Sequence, residues 1–169
     1  METLHEAEIL RFDPEAEDTH VVSDEGDEEV AGKFVPLYAR IGQMTIAQKI
    51  RVAMLGSAAE RLLLLRDSNR LVAAAAIRSP LIQEPEVVRV SASRVISEEV
   101  LRAISINKDW VRNYQVKVNL VTNPRTPFPI AARFVSYLRE SELKTIAKSK
   151  NVTGPIAQAA KQQLSRKTH

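Results

Sequence analysis

The sequence predicts an all-α chain in which short helices stack in chain order behind a disordered, acidic N-terminal tail. Three observations carry that expectation. From Thr45 onward, apolar residues recur three and four apart between side chains that start and stop helices. A short connection recurs along the chain, which marks a stack of similar units rather than one closed fold. The charge is split: residues 1–32 hold twelve acidic side chains against the single Arg11, whereas residues 33–169 hold twenty-three Lys and Arg against nine acids. That layout fits an acidic tail on a basic domain. The expected organisation is a tail over 1–32, a linker and capping segment over 33–44, a helical-repeat domain over 45–165 and a basic C-terminal end over 166–169.

Composition removes several function classes. Without cysteine there are no disulfides, thiolate metal sites, iron–sulfur clusters or cysteine nucleophiles. The histidines stand at 5, 20 and 169, outside the patterned body, so no histidine base or metal ligand is expected within it. The five glycines, at 26, 32, 42, 56 and 154, are too scattered for a phosphate-binding loop. The longest apolar run, Leu71–Ile77, is far short of the ~20 residues that span a bilayer. No basic start followed by an apolar run opens the chain, so a soluble, cytoplasmic protein is expected. No enzyme activity, cofactor, metal or small-molecule substrate is expected.

The elements follow in order. Between Asp13 and Gly32 apolar residues are too sparse to offset the entropy of ordering, so disorder is expected there. Ile9, Leu10 and Phe12 form an apolar island within the acid, either a short docking motif or incidental residues of an unstructured tail. Phe34, Leu37 and Ile41 fit one helical turn if Pro36 lies in the first turn, giving a segment packed across the open end of the body. Thr45-Ile-Ala-Gln48 and Ser57-Ala-Ala-Glu60 both fit a capping box, and Gly56 between them is a natural stop. Leu62–Leu65 is apolar all round, as a helix buried between neighbours must be. The helix over Leu71–Ile77 ends at Ser79-Pro80, because the residue before proline resists helical geometry. A short helix is expected over Pro85–Ser91. Ser97 then caps Val100, Leu101 and Ile104, with Glu98 and Glu99 at the helix's positive end.

Asn107 or Asp109 opens the next helix, in which Val111, Tyr114, Val118 and Val121 share a face. Tyr114, Val116, Val118 and Leu120 also alternate with polar residues, as in a strand. Helix is preferred because the neighbouring segments are helical and no second strand is at hand to pair. Ile130, Phe134, Tyr137 and Leu138 carry the next helix, Leu143, Ile146 and Ala147 a short one, and Ile156, Ala160 and Leu164 the last.

Ser93-Arg-Val-Ile-Ser97, two residues before Val100-Leu101, lines up with Asn123-Pro-Arg-Thr-Pro127 before Ile130-Ala131. It also lines up with Ser149-Lys-Asn-Val-Thr153 before Ile156-Ala157; the copies lie thirty and twenty-six residues apart. A looser relative begins at Ser79-Pro80. Trp110-Val111-Arg112, with Val118 and Asn123-Pro124-Arg-Thr126-Pro127, resembles the leucine-rich repeat variant family and is similar, more distantly, to HEAT-like repeats. The resemblance spans about residues 45–164 and implies a right-handed α-solenoid of short helices that works through its surface. Some members carry a cysteine-ligated cluster, a feature this cysteine-free chain lacks. The resemblance also implies inter-repeat packing for Trp110, and for Arg112 a tie between neighbouring loops.

Charged residues carry the functional signal. Asp109 could be imagined as an acid–base group, but nothing convergent accompanies it and a helix cap explains it. Trp110 could stack on a ring, against the packing role just given. Glu98, Glu99, Glu140 and Glu142 sit at helix starts, where the dipole explains them without a hydrolase. Lys108, Arg112, Lys117, Arg125 and Arg133 cluster in the best repeat, and Lys144, Lys148, Lys150, Lys161, Arg166 and Lys167 continue to the C-terminus. Stacked on one side, they would form a basic groove; spread evenly, they would simply be solvated. The groove predicts an acidic or amphipathic protein partner, with the acidic tail as a built-in competitor. Nucleic acid, held through its phosphates, is the alternative; few aromatic side chains are expected at the surface to stack on bases.

Overall fold

The computed structural model describes residues 18–167 and is mostly helical. Ten α-helices follow one another along the described residues: α1 (Val35–Gly42), α2 (Ile46–Leu55), α3 (Ala58–Leu64), α4 (Arg70–Ile77), α5 (Glu84–Ala92), α6 (Glu98–Ile106), α7 (Tyr114–Thr122), α8 (Phe128–Val135), α9 (Glu140–Lys148) and α10 (Gly154–Lys167). Ahead of them stands an antiparallel hairpin, β1 (His20–Val22) and β2 (Glu28–Val30), with His20 opposite Val30 and Val22 opposite Glu28.

Local chemistry sets the helix ends. Thr45 and Ser57 both form complete capping boxes, with Gln48 and Glu60 reaching back to the cap N–H. Pro36 lies in the first turn of α1, and Phe34 and Ile41 are buried. Tyr114–Thr122 is helix, with Asn113 Oδ1 accepting the N–H groups of Gln115 and Val116. That cap also corrects the expected start: Trp110–Arg112 is a separate 3-10 turn, and α7 begins only after Asn113.

Packing skips one element at a time. Helix α2 lies on α4 and α4 on α6, while α1 lies on α3, α3 on α5 and α5 on α7; α8 likewise lies on α10. The pairs α2/α3, α3/α4, α5/α6, α7/α8 and α9/α10 also touch, so one run of buried aliphatic side chains extends from Ile41 to Ala160. Leu62, Leu64 and Leu65 are wholly buried, each stabilising the fold by about 1.5–3 kcal/mol.

Polar clamps cross the same interfaces. The Ser79 hydroxyl donates to the Met54 carbonyl at 2.8 Å, and Arg133 Nη2 to the Ser105 carbonyl at 2.7 Å. Asn123 Nδ2 donates to the carbonyls of Ser91 and Ser93, and Lys167 Nζ to that of Leu138 at 2.7 Å. Carbonyls at a helix C-terminus lack intrahelical partners, and these side chains supply them across 25 to 32 residues of sequence.

The hairpin corrects an expectation. Disorder was predicted from Asp13 to Gly32, yet residues 18–32 carry two strands and a 3-10 helix, Gly32–Phe34, begins at their end. Gly26, at φ +87°, makes the turn between the strands. Its attachment to the helices is mainly polar, which is why composition did not reveal it. Ile9, Leu10 and Phe12 lie outside the described residues.

Candidate interaction surface along the helix connections

The connections α5–α6, α7–α8 and α9–α10 are three copies of one turn. Ser93, Asn123 and Ser149 each leave their helix with extended backbone, at φ/ψ of −69/131°, −73/119° and −71/136°. Four residues on, Ser97 and Pro127 stand immediately before α6 and α8, and the Thr153 carbonyl accepts the N–H groups of Ile156 and Ala157 that open α10. The aligned sequence copies are therefore the same structural element.

Two copies supply their own acceptor. Asn123 Oδ1 accepts the Arg125 N–H at 2.9 Å, and Ser149 Oγ accepts the Asn151 N–H at 3.1 Å. At Ser93 the side chain bonds the hairpin instead, and the following N–H bonds it too. Ser93 Oγ donates to Glu28 Oε2 at 2.9 Å, and the Arg94 N–H donates to Glu28 Oε1 at 2.8 Å. Arg66, in the α3–α4 connection, completes the cradle with Nε 3.3 Å from Glu28 Oε2, while its Nη1 donates to the Leu62 carbonyl. Asp18 adds a longer pair to Arg66 at 3.7 Å.

His20 sits in the same place, contrary to the expectation that the histidines stay off the body. Its pKa is lowered to about 4, first by burial and then by the Arg66 charge, with Asp18 and Glu28 acting in the opposite sense. Nδ1 lies 2.9 Å from the Thr19 hydroxyl.

Hollows run along this row of connections. One of about 700 Å³ is lined by Leu65–Ser68, Arg70, Val95, Ser97–Glu99, Pro124 and Arg125. Another of about 430 Å³ lies under the hairpin, between His20, Glu28, Tyr38, Lys49 and Arg66, and shares Arg66 and Val95 with the first. A third, of about 180 Å³, lies between Arg94, Asn123, Pro124, Ser149 and Asn151. The acids of the largest hollow are already paired: Asp67 with Lys49, Glu98 with Arg102 and Glu99 with Arg70. Arg125, which lines that hollow, and Arg94, which lines the third, are both exposed and make no ion pair with a described residue, so the charge they offer is positive.

The structure sorts the seven basic residues singled out from the sequence into two groups. Arg125, Lys148 and Lys150 lie on or beside the row of connections just described. Lys108, Arg112, Lys117 and Arg133 lie toward the other end of α7. There Asn113 bonds Glu84 at the start of α5, and the Tyr114 hydroxyl donates to Glu142 at the start of α9. Lys117 lies 5.7 Å from the Tyr137 ring centroid, and Arg133 is committed to the Ser105 carbonyl and the Phe134 ring. Arg112, expected to tie loops together, is exposed and, among the described residues, pairs locally with Asp109 at 3.3 Å. Trp110 is half-buried against the core, in keeping with a packing role, and Asn107 rather than Asp109 caps the turn beneath it. Aromatic side chains do reach the surface, contrary to expectation: Tyr38, Phe128 and Tyr137 are exposed.

The row itself was foreshadowed by the alignment of Ser93, Asn123 and Ser149. Arg66, Arg94 and Glu28 carried no local signal, since their contacts join residues 38, 65 and 66 apart. No helix among the described residues is long and apolar enough to cross a membrane. Comparison with protein-family models, curated proteins and solved structures finds no match.

Proposed function

We propose that the chain is a non-enzymatic helical-repeat interaction module of the α-solenoid kind, binding an acidic protein segment along the α3–α4, α5–α6, α7–α8 and α9–α10 connections. The skip-one packing and the clamps recurring every 25 to 32 residues support a solenoid, as does the resemblance to leucine-rich repeat variant and HEAT-like repeats. The observation that carries the binding reading is the row of adjoining hollows whose unpaired charges, Arg94 and Arg125, are cationic, with Lys148 and Lys150 flanking Ser149. An extended acidic segment meets both shape and charge there. The acidic N-terminal stretch competes for the same surface.

Fluorescence anisotropy with a labelled Glu/Asp-rich peptide and a labelled DNA duplex, at two salt concentrations, tests the proposal. Reversing Arg94, Arg125 and Lys148 to Glu should weaken peptide binding by about tenfold or more, whereas reversing Lys108 and Arg112 should leave it unchanged. Equal losses from both sets would remove the connection row as the site. Tight duplex binding that falls steeply with salt, without peptide binding, would transfer the surface to nucleic acid.

A further inference from the structure

The cradle around Glu28 has the chemistry of a recognition site for a single carboxylate. Two donors on adjacent residues, Ser93 Oγ and the Arg94 N–H, each take a different oxygen of one planar group, and the guanidinium of Arg66 faces it from the side. With the hairpin in place Ser93 is buried and the Arg66 side chain only 6% exposed, and Arg66 is also tied to the helical body through the Leu62 carbonyl. The comparison with the sister turns is informative. Asn123 and Ser149 turn their side chains onto the N–H two residues on, whereas the Ser93 hydroxyl donates to Glu28, and the N–H of the next residue, Arg94, donates to the same carboxylate.

The present occupant is held mainly by polar contacts. Each strand of the hairpin has three residues, and a two-stranded hairpin is marginal by itself. Of the strand residues, only Val30 packs against the core, while Val21 and Val22 are 52% and 71% exposed. Lifting the hairpin therefore uncovers little apolar surface, and its polar contacts are ones that an incoming acidic residue can replace.

We propose that Arg66, Ser93 and Arg94 form the receptor for a glutamate or aspartate side chain of the protein partner, and that Glu28 fills this receptor in the free protein. The inference rests on the interaction reading above and names its central contact. The partner segment is extended, places one carboxylate in the cradle and carries further acids toward Arg125 and Lys148. A receptor that is open one-tenth of the time gains about tenfold in apparent affinity when its internal occupant is disabled.

The test compares full-length wild type, Glu28→Gln, and Glu28→Gln combined with Ser93→Ala, using acetylated hexaglutamate and a single-stranded oligonucleotide of equal charge as probes. Glu28→Gln should bind hexaglutamate about tenfold more tightly at low salt, and the added Ser93→Ala should cancel the gain. In wild type, saturating hexaglutamate should speed amide exchange across Val21–Val30, a readout independent of any variant. Equal affinities of wild type and Glu28→Gln, with the loss from reversing Arg94, Arg125 and Lys148 intact, would make Glu28 a structural anchor and leave the interaction module standing. Absence of peptide binding by either protein would overturn both proposals. An equal gain for the oligonucleotide would overturn the carboxylate assignment.

Discussion

Arg61 and Glu86 join α3 to α5 through a two-pronged ion pair, with Nε on Oε1 at 2.9 Å and Nη2 on Oε2 at 3.0 Å. Both side chains are almost wholly buried, at 2% and 1% exposure. The remaining contacts complete the arrangement: Arg61 Nη1 donates to the Gly56 carbonyl at 2.6 Å, and Glu86 accepts the Gln83 N–H at 2.8 Å. One pair thus ties α3, the start of α5 and the α2–α3 connection together.

Truncating Glu86 to Ala should cost about 3–5 kcal/mol, because it strands a guanidinium in the interior. Replacing both residues with apolar side chains of similar volume should cost far less. Urea unfolding of the two singles and the double variant measures the difference. A single-variant loss below about 1 kcal/mol would mean that water reaches the pair.

Gly56 is held to glycine by space rather than by backbone angle. A Cβ there would stand 2.6 Å from the Val52 carbonyl oxygen and 2.5 Å from Glu60 Oε2, the carboxylate of the capping box. Gly56→Ala should destabilise the protein by about 1–3 kcal/mol. Gly154→Ala, where nothing lies within 4 Å, should be neutral or slightly stabilising. Thermal melts of the two variants give the contrast directly.

Acid should loosen the hairpin through His20. Its pKa of about 4 in the folded protein lies below the ordinary 6.5, so the neutral ring is the form that fits. As pH falls below 6.5 the undocked hairpin takes up a proton that the docked one refuses, and docking weakens until pH reaches about 4. Arg66, Asp18, Glu28, Lys49 and Asp67 surround or adjoin the ring. Amide exchange at Val21 and Val30 should rise from pH 6.5 to 5 in wild type and stay flatter in His20→Gln. Equal profiles would rule out His20 as the source.

Much of the helical body was legible because its signals are local. Thr45 with Gln48 and Ser57 with Glu60 are each contained in four residues, and Pro36 can occupy only a first turn. The alignment of Ser93, Asn123 and Ser149 located three equivalent turns because each needs a small polar residue where the helix ends. The hairpin was hidden by its acids, although Gly26 between His20–Val22 and Val30 was a turn signal in plain view. Its anchor is long-range, and no local pattern encodes it. The basic cluster misled for a related reason. Lys108 and Arg125 lie close in sequence, but α7 runs nine residues, roughly 13 Å, and sets them toward opposite ends. Asn113 broke what looked like one stripe from Val111 to Val121, because its side chain opens a new helix in the middle.

The clamps also have a direction. In those from Ser79, Asn119, Asn123, Arg133 and Lys167, the donor follows its carbonyl acceptor in the chain. During synthesis each acceptor leaves the ribosome first and waits while 25 to 32 further residues are made, on the order of seconds. A nascent body is therefore provisional at its growing end, each unit locked only by the arrival of the next, and chains stalled partway would expose open carbonyls at their last completed helix.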